Sequence, residues 1–229
     1  MINYKMEAAK ACLGFIEPGL VVGLGAGTTI SYLVDWISEQ TDLAKQLTFV
    51  SSSFKTRLFL KEKGLIQKLS SQINRLDVYF DGCDCFDNEL NALKSGGGIH
   101  THEKILASMA NNFILVGDES KLIPDLGTSY PLVIEILPEA LLFVENFIKS
   151  NYPEAFFDLR MSQQKDGAVI SENGNFLADI RFRKFPDLGT LNINIKMIPG
   201  VVEHSLFYRM ASKAIIAGEK GVQVICADR

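Results

Sequence analysis

The stretch Leu76-Asp77-Val78-Tyr79-Phe80-Asp81-Gly82-Cys83-Asp84 carries the strongest structural signal in this chain. Its first five residues alternate and are rich in β-forming types, which predicts a strand. Two aspartates follow directly where that strand ends. Because open α/β sheets bind ligands beyond the carboxyl ends of their strands, we expect Asp81 and Asp84 to face a ligand.

A lysine, a glycine-rich turn and a third carboxylate follow soon after. Lys94 begins the sequence Lys94-Ser95-Gly96-Gly97-Gly98, whose glycines leave backbone N–H groups open to an oxygen-rich ligand. Glu103 falls in the first turn of the helix predicted next, where an acid is also favoured by the helix dipole alone. The residue types alone fit both a functional site and a set of solvated surface charges. The clustering suits proton transfer on a small oxygenated substrate.

Strands and helices alternate through the first half of the chain. Patterns of apolar residues predict strands at 20–25, 47–51, 76–81 and 112–117. They predict helices at 5–15, 28–38, 54–63 and after 101. This alternation predicts an α/β fold in which helices cover a mostly parallel sheet.

The order changes after residue 126. We predict a strand at 132–136, a helix at 138–149, a strand at 156–161, a hairpin around Asn173-Gly174 and a helix at 188–195. This order indicates a small α+β insert. Further strands at 205–208, 214–216 and 221–226 are expected to return to the first sheet. The predicted domains are 1–126 with 200–229, and 127–199.

Composition excludes several classes of function. The 229 residues carry a net charge of −4 with mixed signs, which disfavours nucleic acid as a partner but leaves an anionic substrate open. Neither an apolar run of membrane length nor a signal peptide is found, so we expect no membrane association. The cysteines Cys12, Cys83, Cys85 and Cys226 form no CxxC and are interpreted as reduced thiols of a cytoplasmic protein.

A second glycine-rich turn, Gly23-Leu24-Gly25-Ala26-Gly27-Thr28-Thr29, follows the first strand. It is typical of a cradle for a phosphate, and equally of a tight turn without a ligand. A dinucleotide fingerprint is disfavoured, because Thr28 occupies the third glycine position and the second strand ends in Ser51-Ser52-Ser53 rather than near an acid. These serines either contact a ligand or cap the next helix.

Two further patterns bear on metal binding and on anion binding. Cys83, Cys85, His100 and His102 raise the question of zinc, but histidines two apart on a helix point about 200° apart, so we predict no metal site. Lys121 follows the strand that ends at Gly117 and is placed to reach an anion. On that motif alone an exposed charged turn is favoured.

Taken in order, these motifs resemble the A-type ribose-5-phosphate isomerases over essentially the whole chain. The segment Ile198-Pro199-Gly200-Val201-Val202-Glu203-His204-Ser205-Leu206-Phe207 completes the series. The resemblance implies interconversion of ribose 5-phosphate and ribulose 5-phosphate in the non-oxidative pentose phosphate pathway, without a cofactor. It also implies a Rossmann-like domain with helices on both faces of its sheet, a smaller α+β, ferredoxin-like domain, and a homodimer.

The resemblance also assigns roles by position. Glu103 becomes the general base, and Asp81, Asp84 and Lys94 become the catalytic residues at the reacting end of the sugar. The residues implied to bind substrate lie in the two glycine turns, after Asp81 and at the sheet edge; they are Ala26, Gly27, Thr28, Thr29, Gly82, Cys83, Ser95, Gly96, Gly97 and Lys121.

Some positions depart from the family pattern. Cys85 stands where the family usually has glutamate, Ser95 replaces a usual glycine, and two histidines lie at 100 and 102. A non-catalytic sugar-phosphate-binding regulatory protein is the alternative. The presence of both Glu103 and Lys94, without a basic patch or room for a DNA-binding domain, favours the enzyme.

Overall fold

The structure is a computed structural model that describes residues 2–227. Its strands in chain order are β1 (Val21–Leu24), β2 (Thr48–Ser51), β3 (Leu76–Asp81), β4 (Cys85–Phe86), β5 (Ala92–Leu93), β6 (Ala110–Asp118), β7 (Leu132–Ile136), β8 (Phe156–Leu159), β9 (Phe176–Arg181), β10 (Val201–His204), β11 (Leu206–Phe207), β12 (Lys213–Gly218) and β13 (Gly221–Cys226). Its helices are α1 (Tyr4–Ala11), α2 (Thr28–Glu39), α3 (Thr41–Ala44), α4 (Phe54–Glu62), α5 (His100–Met109), α6 (Leu141–Asn151) and α7 (Leu188–Lys196).

A central six-stranded sheet has the order β13-β12-β6-β3-β1-β2, and all its pairs are parallel except β12 with β13. Side chains of β3 alternate between the two faces, as the period of a strand requires. Val78 and Phe80 pack into the cluster formed with α1 and α2, whereas Tyr79 packs on the α5 side. Apolar cores therefore cover both faces, and the predicted Rossmann-like α/β fold is confirmed.

A second sheet is antiparallel, with the order β10-β7-β9-β8. In chain order its elements are β7, α6, β8, β9, α7 and β10, which is the β-α-β-β-α-β arrangement of a ferredoxin-like unit. The closing strand, Val201–His204, pairs with β7. Strand pairing therefore carries the smaller unit past the boundary predicted at residue 200.

Two local expectations need correction. The hairpin predicted around Asn173-Gly174 is present but short, with a tight turn and a single antiparallel bridge between Ile170 and Phe176; the long antiparallel partner of β9 is β8. The strand predicted at 205–208 does not return to the central sheet. Its residues Leu206–Phe207 instead pair with β5 in a separate three-stranded sheet, β11-β5-β4.

That small third sheet matters for the site. β4 and β5 follow Asp84 and precede Lys94, so they hold the two ends of the intervening segment together. The backbone N–H of Lys94 donates to the Ser205 carbonyl at 3.0 Å, which fixes the start of the glycine loop beside β11. Among residues 2–227, no helix is both long and apolar enough to cross a membrane.

Candidate active site

Asp81, the last residue of β3, lies at the centre of the site. Its carboxylate is fully buried. Oδ1 accepts hydrogen bonds from the backbone N–H of Ala26 at 3.1 Å and of Gly82 at 2.8 Å. Oδ2 accepts from the Tyr79 hydroxyl at 2.5 Å and lies 2.9 Å from Lys94 Nζ. Both oxygens are thus occupied by donors, as a buried carboxylate requires.

The turn after β1 is shaped to admit this carboxylate. A Cβ atom at Gly25 would lie 1.8 Å from Asp81 Oδ1, so only glycine allows the two segments to approach so closely. The Thr56 hydroxyl donates to the Gly25 carbonyl at 2.8 Å and holds the turn from α4. The first glycine turn therefore positions Asp81 in addition to opening the start of α2.

Lys94 lies between two buried carboxylates. Its Nζ lies 2.9 Å from Asp81 Oδ2 and 3.3 Å from Glu103 Oε1, and it also donates to the Gly82 carbonyl. Burial alone would lower the pKa of Lys94, but the two carboxylates outweigh it and raise that pKa above its ordinary value. Lys94 is therefore a cation at neutral pH.

Glu103 is buried in the first turn of α5, only 4% exposed. Its Oε1 faces Lys94, whereas its Oε2 has no hydrogen-bond partner. Burial raises the pKa of Glu103 to about 8, against the opposing effect of Lys94 and with a further raising effect of Asp81. A carboxylate with a raised pKa and one free oxygen is suited to accept a proton from a bound molecule.

Asp84 organises the glycine loop. Its Oδ2 accepts from the backbone N–H of Ser95 at 2.5 Å and of Gly96 at 3.0 Å. The Ser95 hydroxyl donates to the Pro131 carbonyl at 2.5 Å, and Arg160 donates to the Ser95 carbonyl at 2.6 Å. The serine that replaces the usual glycine is therefore accommodated by contacts outside the cavity.

A cavity of about 200 Å³ opens between these groups. It is lined by Ala26, Asp81, Gly82, Cys83, Asp84, Lys94, Gly96, Gly97, Ile99 and Glu103. The sequence predicted every one of these residues except Ile99, which precedes α5. All four predicted catalytic side chains are thus brought together around one cavity.

The other predicted binding residues surround this cavity without lining it. Gly27, with a φ of 99°, begins α2, and no side chain caps that helix start. The backbone N–H groups of Thr28 and Thr29 follow there; the Thr28 side chain is exposed and the Thr29 side chain is buried. Lys121 Nζ lies 3.4 Å from the Asp84 carbonyl. Ser95 is buried in the loop itself.

The cysteine and histidine residues have separate surroundings. Cys83 is at the cavity, where burial raises the pKa of its thiol to about 12. Cys85 packs in the apolar core of the smaller unit. His100 contacts the Glu203 carbonyl at 3.3 Å, and His102 contacts Asn173 Oδ1 at 2.9 Å. Within residues 2–227, no three His, Cys, Asp or Glu side chains are grouped to hold a metal ion.

Sequence reasoning missed Tyr79 and Arg160. Tyr79 could have been found, because residues two apart on a strand share a face and Tyr79 therefore lies beside Asp81. Arg160 comes from the smaller unit, where Asp179 holds its Nε at 2.6 Å. No local pattern in the sequence connects it to Ser95.

Comparison with known proteins agrees with this geometry. Residues 48–221 match the family model described as ribose 5-phosphate isomerase A (phosphoriboisomerase A). The ribose-5-phosphate isomerase A of Thermosynechococcus vestitus is 36% identical over 94% of this chain and 91% of its own length. That of Pyrococcus abyssi is 35% identical, covering 96% of each chain.

Solved structures agree as well. A D-ribose-5-phosphate isomerase in complex with phospho-erythronic acid superposes with a TM-score of 0.91 at 34% identity, covering 98% of this chain and 100% of the other. The isomerase A of Methanocaldococcus jannaschii gives 0.89 at 30% identity, with 97% of each chain covered. The protein described here belongs to the ribose 5-phosphate isomerase A family.

Proposed function

We infer that this protein interconverts D-ribose 5-phosphate and D-ribulose 5-phosphate, the reaction that its family membership indicates. The observation that carries this inference is the buried Glu103 carboxylate, which lines the cavity beside a buried ammonium group and keeps one oxygen without a hydrogen-bond partner. An aldose–ketose isomerase needs that pair: a base to move a proton between adjacent carbons, and a cation to stabilise the oxygen charge that develops.

Glu103 is the base in this proposal. Its carboxylate takes the proton from carbon 2 of ribose 5-phosphate and returns it to carbon 1, so that one group serves both half-reactions. The pKa of about 8 makes Glu103 a stronger base than an exposed glutamate. Its second oxygen, free of any hydrogen bond in the protein, is the one available to the substrate.

Lys94 stabilises the enediolate. Its raised pKa keeps the proton on the ammonium group, so it acts as a fixed positive charge and donor rather than as a base. The charge is held in place before the substrate binds, because Asp81 and Glu103 flank it. Such prearranged electrostatic stabilisation lowers the barrier more than a mobile charge would.

The two aspartates have different tasks. Both oxygens of Asp81 already accept hydrogen bonds within the protein, so we assign Asp81 the task of holding Lys94. Asp84 uses Oδ2 for the loop and lines the cavity; we assign it the proton exchange with the sugar hydroxyls that assists ring opening. The sequence analysis gave both aspartates one role at the reacting end of the sugar, and this proposal gives each of them a separate task.

The phosphate group is assigned to the rim of the cavity. The start of α2 offers unpaired backbone N–H groups at Thr28 and Thr29, where the positive end of the helix dipole favours an anion. Lys121 adds a charge beyond the end of β6, which is separated from β1 by β3 in the sheet. A solved relative binds phospho-erythronic acid, a phosphorylated four-carbon acid whose carboxylate resembles an enediolate in charge.

The proposal includes no cofactor, a homodimer, and a cytoplasmic setting. Four cysteines without disulfide bonds, two of them buried, fit a reducing compartment. Within the pentose phosphate pathway the protein would need no partner other than its sugar-phosphate substrate.

The direct test is incubation of the purified protein with ribose 5-phosphate alone, with and without exhaustive chelation. We expect ketose to accumulate equally in both. Binding without ketose formation would indicate a sugar-phosphate-binding regulatory protein instead. Loss of turnover on chelation, with recovery on adding zinc, would point to a metal site formed by Cys83, Cys85, His100 and His102.

A further inference from the structure

A hydrogen-bonded chain lies behind the cavity, on the side away from the substrate. The Tyr79 hydroxyl is 2.5 Å from Asp81 Oδ2 and 3.2 Å from the Ser52 hydroxyl. Tyr79 and Asp81 are fully buried and Ser52 is 2% exposed. None of the cavity-lining atoms belongs to Tyr79 or Ser52, so neither residue touches the substrate site.

The direction of the hydrogen bonds is fixed by charge. Burial, together with the carboxylates of Asp81 and Glu103, raises the pKa of Tyr79 well above its ordinary value. The phenol therefore keeps its proton and donates it to Asp81. Ser52 is then free to donate to the phenol oxygen, which strengthens the donor as hydrogen bonds in series do. The ring is held by stacking on Phe113, with centroids 5.3 Å apart.

Asp81 Oδ2 is shared between Tyr79 and Lys94. Charge-assisted hydrogen bonds stabilise the ionised form of a carboxylate and draw charge from the oxygen that accepts them. The bond from Tyr79 therefore fixes the position of Oδ2, the oxygen that also lies 2.9 Å from Lys94 Nζ. Lys94 can then also interact with Glu103 at 3.3 Å and with a developing oxyanion.

We propose that Tyr79, supported by Ser52, is a positioning residue for the isomerase reaction: its hydroxyl fixes the Asp81 carboxylate that aims Lys94. This inference rests on the proposed function. Tyr79 acts on the reaction only through Asp81 and Lys94.

The charged groups that bear on this cluster are few. Asp81 and Tyr79 belong to β3, Lys94 directly follows β5, and Glu103 lies in α5; the thiol of Cys83 also faces Lys94. Because these groups titrate as a coupled set, the acid limb of the turnover profile reports on the cluster as a whole.

Tyr79→Phe is the primary test, since it removes one oxygen and keeps the ring. Loss of a donor to the ionised state raises the pH at which the cluster takes up a proton. We expect the acid limb of the turnover number to move up by about one pH unit and turnover at neutral pH to fall about tenfold. The Michaelis constant should stay within about twofold, because no substrate contact is lost.

Ser52→Ala provides an independent variant that leaves the Tyr79–Asp81 bond in place. We expect a smaller shift of the acid limb in the same direction. In the double variant, Ser52→Ala should add nothing to Tyr79→Phe, because Ser52 acts through the phenol oxygen that is already gone. If Tyr79→Phe does not fold, the shift in Ser52→Ala decides the question.

Tyr152→Phe is the matched control. Tyr152 packs edge to face on Phe182 in the smaller unit, so its hydroxyl is deleted far from Asp81. This variant and the wild type should show identical pH profiles; if neither turns over ribose 5-phosphate, the proposed function itself fails. With both active, an unshifted acid limb in Tyr79→Phe and Ser52→Ala overturns the positioning role. A drop in turnover matched by lost folding stability, without a shift, also overturns it.

Discussion

Glu103 and Lys104 are neighbours on α5 but belong to two different buried clusters. The ring of Phe207 lies close to the lysine of each cluster: Lys94 Nζ lies 5.7 Å from its centroid and Lys104 Nζ lies 5.2 Å from it. Lys104 lies 2.9 Å from Glu203 Oε1, 2.6 Å from the His204 carbonyl and 3.2 Å from His204 Nδ1. Every donor of that ammonium has a partner, whereas Glu103 leaves one oxygen without any.

The two glutamates show what this difference does. Burial would raise both pKa values. Lys104 outweighs it at Glu203 and lowers that pKa to about 2, while Glu103, sharing Lys94 with Asp81, rises to about 8. A glutamate is thus a fixed anion in one cluster and a proton acceptor in the other. How completely its carboxylate is paired decides between the two. A complete cluster stabilises the fold, and an incomplete one is available for chemistry.

The largest effect is expected at the incomplete cluster. Glu103→Gln keeps the shape of the side chain but cannot accept a proton, so the turnover number should fall by about 10²–10⁴. Substrate affinity and the fold should change little, since a neutral amide is easier to bury than a carboxylate. Solvent deuterium exchange at the sugar carbon, followed by NMR, should slow in parallel. Near-normal turnover in this variant would make Asp84 the first candidate for the base.

The next effect is expected at the complete cluster and concerns stability. Lys104→Met keeps the length of the side chain but leaves the buried carboxylate of Glu203 without this cationic partner. The free energy of unfolding should fall by about 3 kcal/mol, while the turnover of the folded fraction stays near the wild-type value. Denaturant unfolding and single-substrate kinetics measure the two quantities separately.

Lys196→Met is the matched control for that variant. Lys196 Nζ also pairs with Glu203, at 3.0 Å, but its side chain is 48% exposed. Loss of this ion pair should lower the free energy of unfolding by less than about 1 kcal/mol. If Lys104→Met instead abolished turnover while keeping full stability, the division between a structural and a chemical cluster would be wrong.

A pH dependence of stability should come from the same structural cluster. Burial lowers the pKa of His100 to about 4 and that of His204 to about 3, so the folded protein favours neutral rings. Their contribution to stability is complete above the ordinary histidine pKa of about 6.5 and is lost as the pH falls below it. Glu103, whose raised pKa stabilises the fold as the pH falls, acts in the opposite direction, so the measurement is made in Glu103→Gln. In that variant we expect the free energy of unfolding to drop by about 4 kcal/mol between pH 7 and pH 5, about 2 kcal/mol for each ring.

Denaturant titrations at several pH values measure this drop. Glu203, with its lowered pKa, adds to it only at lower pH, because its stabilising charge is lost below the ordinary glutamate range. If the free energy of unfolding of Glu103→Gln stays constant from pH 7 to pH 5, the two rings take up protons at pH 5 in the folded protein as they do in the unfolded chain.

How much of this could be predicted from the sequence differs between the two clusters. The parallel sheet and the group Asp81, Asp84, Lys94 and Glu103 were accessible, because strand ends and glycine turns are local signals. The position of Phe207 close to both lysine ammonium groups was not. It depends on β11, a strand of two residues whose pairing with β5 is set by tertiary contacts rather than by a pattern.

The helix that carries both clusters shows a second limit. Ile105, an apolar residue of α5, is 47% exposed. The buried face of the helix carries polar residues, among them His100, Glu103 and Lys104, beside the apolar Leu106 and Ala107. Hydrophobic periodicity assumes that apolar residues are the buried ones, and this assumption fails where buried ion clusters replace an apolar core.

The smallest effect is expected at the rim, where Lys121 is half-buried and its Nζ reaches only the Asp84 carbonyl, at 3.4 Å. Its contact with a phosphate would be the same in substrate and transition state. Lys121→Ala should therefore raise the Michaelis constant by about tenfold and leave the turnover number unchanged. The wild-type Michaelis constant should rise with salt, and the variant's should do so less steeply, because one screened attraction is gone.

Lys220→Ala, at an exposed turn between β12 and β13, is the control for a general loss of positive charge. Thr28→Val tests the opposite rim: an unchanged Michaelis constant in both Thr28→Val and Lys121→Ala would place the phosphate elsewhere and confine binding to the residues that line the cavity.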